Sequence, residues 1–249
     1  VTAPGTVRPK AAGTRAPALF MLAALLAAAV AAPGSGAEPG PVLVAFGDSI
    51  TKGLPDPWPE VLQARLQLDA PNAGWRVINA GIPGNRLLGG TQDNPSGLAR
   101  FDQDALGAPG VRFVVLLEGI NDIGWLDEQD ATKPAAGAGA LITAYRALIE
   151  RAHAHGIKVF GGTLTPFDGT EFPGYYAPRG EAVRSAVNAW IRTGGAFDAV
   201  IDFDAALRDP ADPAHLLPEF DSGDHLHPSR AGEAAMAALV EPILLGYAK

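Results

Sequence analysis

From about residue 40 onward, apolar residues fall into short unbroken runs, separated by longer stretches in which they recur every three or four positions. The short runs predict strands at 41–46 (PVLVAF), 75–80 (WRVINA), 111–118 (VRFVVLLE), 157–164 (IKVFGGTL) and 197–203 (FDAVIDF). Their near-continuous hydrophobicity suits strands covered on both faces. The periodic stretches predict helices at 57–69, 96–107, 137–155, 179–194 and from 229 to about 245. The longest of these runs into Gly156, a natural stop before the next strand. Strands alternating with helices predict an α/β domain built on a parallel sheet.

The first 37 residues differ from the rest. Arg8, Lys10 and Arg15 precede the apolar run APALFMLAALLAAAVAA, and a small-residue pattern ends at Ala37. This order predicts a cleaved secretion signal over 1–37 and a single domain over 38–249, with an uncleaved anchor as the alternative. The expected location is therefore extracellular or periplasmic, with no stable membrane association after cleavage. Removing those three positive charges takes the formal net charge from −8 to −11. An acidic surface of this kind argues against nucleic acid as a partner, because phosphate binding relies on Lys and Arg. There is no cysteine, which excludes thiolate catalysis, disulfides and cysteine-based zinc sites. With 47% hydrophobic against 18% charged residues, the chain is able to fill a core.

In open parallel α/β sheets, ligands bind beyond the carboxyl ends of the strands. The segments there read GDSIT, GIPGNR, GINDIGW and, past the fifth strand, DSGDHLHPS. These loops hold the parts of an acyl-transfer site: Ser49 as nucleophile, His227 as its base, Asp224 to orient the imidazole, and Gly84 and Asn121 as oxyanion donors. Each also has a plainer reading. Ser49 suits a helix cap and Gly84 and Asn121 suit turns, while Asp48 is expected to bond loop amides. His225 competes with His227. His153 and His155 suit a solvent-facing helix end, and His215 has no evident partner.

The ordered blocks GDSI, GIPGN, GIND and DHLHP resemble the SGNH (GDSL) hydrolases over nearly the whole chain after residue 37. The resemblance implies a three-layer α/β/α sandwich with a five-stranded parallel sheet in flavodoxin-like order. It also implies a Ser49, His227 and Asp224 triad, and an oxyanion hole formed by Ser49, Gly84 and Asn121. The family's spacing of Asp and His selects His227 over His225. Ile50 stands where the family name has leucine. No cofactor is required. The blocks GIPGNRLL, LARFDQDAL, LLEGINDIG and DFDAALRDP are most similar to a branch associated with xylan and other carbohydrate acetyl esters, which implies a short-chain acyl or acetyl ester substrate.

Arg86 either binds a substrate carboxylate or pins its loop. Trp125, Phe167, Phe172, Tyr175 and Tyr176 either line an acyl or sugar site or pack their loops. Two other functions fit the same residues. One is a metal-dependent hydrolase using Asp221, Asp224, His225 and His227; the other is a catalytically silent carbohydrate-binding protein.

Overall fold

The computed structural model describes residues 40–68, 74–124 and 137–247, all within the second of two units into which the chain divides, Ala37–Lys249. The expected signal segment and Trp125 lie outside the described residues.

Five strands, β1 (Val42–Gly47), β2 (Arg76–Gly81), β3 (Val111–Leu117), β4 (Lys158–Gly162) and β5 (Ala199–Ile201), form one all-parallel sheet in the order β2-β1-β3-β4-β5. Every residue of β1 is buried, as continuous hydrophobicity requires of a central strand. The edge strand β2 pairs with a neighbour on one side only, and its residues are mostly half-exposed, contrary to the two-sided burial expected for it. Gly47 pairs with Gly81 on β2 and with Leu117 on β3, so three strands end level and deliver their loops to one place.

The helices are α1 (Ser49–Lys52), α2 (Trp58–Leu68), α3 (Gly97–Phe101), α4 (Ile120–Gly124), α5 (Ala138–Ala154), α6 (Pro178–Thr193), α7 (Phe203–Leu207) and α8 (Arg230–Tyr247). Helix α2 packs on α8, and α5 packs on α6, giving the two outer layers of the sandwich. Among the described residues no helix is long and apolar enough to cross a membrane.

Two departures from the sequence expectation have local causes. The fifth strand stops at Ile201 because the Asp202 carboxylate accepts the Ala205 N–H and caps α7. The helix expected over 96–107 widens into a π turn at Asp102–Leu106, closed by the Gly107 N–H bonding to Asp102 O at 2.8 Å. Helix α5 ends as expected, with Gly156 at φ +71 just past His155.

One buried carboxyl ties two helices. Glu233, 1% exposed in the first turn of α8, accepts the Trp58 N–H at the start of α2 at 2.7 Å. Burial raises its pKa to about 8, against the lowering effect of the Trp58 N–H. In the unfolded chain the same group titrates near 4.3. Between these values the folded state holds the extra proton. The contribution is therefore intact at low pH and is lost as pH rises toward 8, with a slope of at most about 1.4 kcal/mol per pH unit. Thermal unfolding followed from pH 5 to 9 is expected to show a flatter decline for Glu233→Gln than for the parent protein. Parallel curves would remove Glu233 as the cause.

Candidate active site

Strand β1 runs straight into the serine. Asp48 is the N-cap of α1, its Oδ1 accepting the Ile50 N–H at 2.9 Å, so the capping role falls on Asp48 rather than on Ser49. The Ser49 hydroxyl stays available, and as the first helical residue Ser49 also has an N–H without an intrahelical partner. A side chain at Gly47 would stand 2.2 Å from Leu117 O, so only glycine lets the strand end pack this closely beneath the serine.

The second loop is a tight turn. Asn85 N–H bonds to Ile82 O at 3.0 Å, with Pro83 and Gly84 between them and Gly84 at φ +70, the left-handed conformation that a type II turn places at its third residue. A Cβ added at Gly84 would meet nothing within 4 Å, so its surroundings are open.

Asn121, on α4, is 4% exposed and held from both ends. Its Nδ2 donates to Asn85 O at 2.9 Å, and its Oδ1 accepts the Tyr175 hydroxyl at 2.9 Å. These two bonds fix the amide's orientation and leave one N–H of Nδ2 uncommitted. Gly124 is required here, since a side chain there would lie 2.2 Å from the Tyr175 ring.

The last loop supplies the imidazole. His227 Nε2 lies 2.8 Å from Ser49 Oγ, and its Nδ1 lies 2.6 Å from Asp224 Oδ2. Asp224 Oδ1 accepts the N–H groups of Leu226 and His227 and the Ser222 hydroxyl. Burial acts to raise the Asp224 pKa, but the His227 and Leu226 N–H groups and the imidazole outweigh it and hold the carboxyl below its usual value. An ionised carboxylate on Nδ1 keeps a proton there and presents Nε2 to the serine as acceptor.

His225 is paired differently, its Nδ1 lying 2.5 Å from Asp221 Oδ2. Asp221, Asp224, His225 and His227 thus sort into two separate pairs. Among the described residues no group of three or more such side chains is placed to share a metal ion. Of the other histidines, His153 bonds Asp198, His155 bonds Arg151 O, and His215 has Asp212 at 3.1 Å.

Beneath the site lies a buried network that sequence reasoning did not single out. All five N–H groups of Arg100 are used: on Asn85 Oδ1, Ala80 O, Asp104, Gly47 O and Glu118. Its guanidinium also stacks on Phe46, 3.8 Å from the ring centre. One side chain therefore joins the ends of β1 and β2, the Gly84–Asn85 turn and the residue following β3. Asp122 adds a tie, accepting the N–H groups of Leu87 and Leu88 at 2.6 and 2.9 Å. Burial raises the pKa of Asp48 to about 7 and pushes Glu118 well up, with Arg100 opposing in both cases. The one signal in the sequence is an arginine inside the helical run LARFDQDAL, where the neighbouring apolar residues face the core.

The aromatic residues divide. Phe167 and Tyr175 are buried, with Tyr175 bonded to Asn121, whereas Phe172 is 41% exposed and its ring lies 6.3 Å from the His227 ring, edge to face.

The model of the GDSL-like lipase/acylhydrolase family matches residues 45–235. The chain belongs to this family and is a carboxylic ester hydrolase. No curated protein matches the sequence. Solved structures with the same fold include a G-D-S-L family protein from Desulfitobacterium hafniense, at 21% identity and TM-score 0.61, covering 82% of this chain and 99% of that one. A GDSL-like lipase from Bacteroides thetaiotaomicron is 20% identical with TM-score 0.61, covering 83% of this chain and 88% of that one. A catalytic mutant of an acetylxylan esterase from Geobacillus stearothermophilus is 22% identical with TM-score 0.61, covering 81% and 92%.

Proposed function

We propose that this protein is a secreted serine esterase acting on short-chain acyl esters, with acetylated carbohydrate as the natural substrate class. The observation that carries the mechanism is the unbroken chain from Asp224 through His227 to Ser49, at 2.6 and 2.8 Å. Ser49 Oγ attacks the acyl carbon while His227 Nε2 takes its proton. Asp224 stabilises the imidazolium that forms. The carbonyl oxygen, now negative, is held by the N–H groups of Ser49 and Gly84 and the uncommitted N–H of Asn121. Collapse breaks the ester C–O bond, and the departing alcohol takes the proton from His227. Water, activated by the same imidazole, then releases the acid and frees Ser49.

Because His227 hands its proton to the alcohol, Phe172 beside it borders the alcohol side, and its exposed ring suits the face of a sugar. The acetyl and carbohydrate reading is further supported by the resemblance of the four sequence blocks and by the acetylxylan esterase among the structural neighbours. Secretion rests on the basic and apolar pattern of residues 1–37.

Hydrolysis of p-nitrophenyl acetate and octanoate by the purified protein and its Ser49→Ala variant tests the proposal. Acetate is expected to be cleaved faster than octanoate, activity to fall by about 10⁵-fold or more in the variant, and chelator to have no effect. Activity that survives Ser49→Ala and disappears with chelator would move the chemistry to the Asp and His pairs of the last loop.

A further inference from the structure

A cleft of ≈ 270 Å³ opens beside Gly84, lined by Gly84, Arg86, Gly89, Gly90, Thr91 and Asn94. Three of its six walls are glycine, so backbone rather than side chain shapes it. Among the described residues no acidic one lines it, although the protein as a whole is acidic. Its frame is rigid. Asn85 Nδ2 donates to Asn94 Oδ1 at 2.7 Å and to Pro95 O at 2.8 Å, and Thr91 and Asn94 bond each other twice. Asn85 is the residue that also receives Asn121 and Arg100, so the cleft and the Gly84 turn form one unit.

Among the described residues Arg86 is the only cation in this lining. The sequence left open whether it pins its loop, but the loop is pinned without it. Its backbone carbonyl accepts the Gly97 N–H, and Asp122 takes the N–H groups of Leu87 and Leu88. Among the described residues the guanidinium has no hydrogen bond or ion pair. Asp122, the carboxylate that feels its charge, is engaged instead by those two N–H groups, one on each oxygen. Gly84, at the turn beside the reacting groups, lines the same cleft as Arg86, and its neighbour Asn85 accepts the Asn121 amide.

We propose that this cleft is a carboxylate subsite, and that the enzyme favours esters bearing a carboxylate close to the scissile bond, held by Arg86. The inference rests on the esterase reading above and specifies its substrate. A planar guanidinium with open donors matches a carboxylate two bonds at a time, and a half-buried cation gains more from such a pairing than a fully solvated one. The cleft's size suits one small substituent rather than a chain of sugars. The carboxylate belongs either to the acyl part, as in a dicarboxylic half-ester, or to the alcohol, as in an acetylated acidic sugar.

Two matched pairs of esters test this, followed by release of acid: monoethyl succinate against ethyl pentanoate, and acetylated methyl glucuronoside against acetylated methyl glucoside. In one pair the carboxylate ester is expected to have about a tenfold higher kcat/KM, the scale of one charge-assisted contact. That preference should fall toward unity in Arg86→Gln, persist in part in Arg86→Lys, and weaken at high salt. The pair that shows it assigns the carboxylate to the acyl or the alcohol side. Equal ratios in the parent protein and Arg86→Gln, or preference for the neutral ester in both pairs, would overturn the subsite. Because each readout is a ratio within one variant, a general loss of activity does not mimic the effect. The esterase reading fails separately, through hydrolysis that survives Ser49→Ala.

Discussion

Replacing Asn121 with alanine is expected to lower kcat for p-nitrophenyl acetate by about 10²–10³-fold while changing KM little, the signature of an interaction made mainly in the transition state. The expectation comes from the way the amide is held. Tyr175 fixes its oxygen and Asn85 O takes one of its N–H groups, so the remaining N–H is oriented before substrate arrives. Such a donor needs no reorganisation as charge builds on the carbonyl oxygen. It corresponds to about 2.7–4 kcal/mol of barrier, more than an equivalent bond contributes in water. Asn121 carries no charge, so the loss should be the same across the pH range where His227 remains competent. Steady-state kinetics on protein shown by thermal unfolding to be folded would check this. A kcat within tenfold of the parent would take Asn121 out of the oxyanion site and leave it as a packing residue.

Arg100→Met is expected to be the most damaging substitution for stability, by about 3–5 kcal/mol. Arg100 is 4% exposed, and three buried carboxyl groups, Asp48, Glu118 and Asp122, lie in the same network beneath the site. Methionine preserves much of the volume, yet it takes the opposing cation from Asp48 and Glu118 and leaves Gly47 O, Ala80 O and Asn85 Oδ1 each short of a donor. For a domain of this size the loss corresponds to a fall of about 10 °C or more in Tm. The sign with pH follows from the carboxyls. Burial already raises Asp48 to about 7, and losing the opposing cation raises it further. The deficit should therefore be greatest above pH 7 and shrink as the carboxyls protonate at lower pH. Urea unfolding at two pH values measures both effects. Arg100→Lys, with the charge but fewer donors, is expected to recover part of the loss. A methionine variant within about 1 kcal/mol of the parent at pH 8 would show that the network is not needed for stability.

Much of this was legible in the sequence because it depends on local pattern. The central strands announce themselves as unbroken apolar runs, and the candidate residues sit a few positions past strand ends, where a parallel sheet must present them. Helices α1, α4 and α7 were not legible, being only 4–5 residues long and too short to display a period of 3.6. Strand order came from resemblance alone, since nothing local tells β1 to lie between β2 and β3. The supporting residues were hidden for a different reason. Arg100 bonds Gly47 across 53 positions, and Tyr175 bonds Asn121 across 54. Neither sequence neighbourhood contains the partner that gives the residue its role. Asp48 was expected to bond loop amides, and it does so as the α1 cap, whereas Tyr175 was left between substrate contact and packing and is found to hold the Asn121 amide.

The segment 166–177 carries two tyrosines and two phenylalanines, but they are not equally free to vary. Phe172 reaches solvent beside His227, while Tyr175 lies inside, bonded to Asn121 and resting where Gly124 has no side chain. The loop is therefore modular at its tip and fixed at its base. Anyone transplanting it between relatives to change which alcohol is released could exchange position 172 at will. The hydroxyl at 175 and the glycine at 124 would have to travel together as one inherited unit.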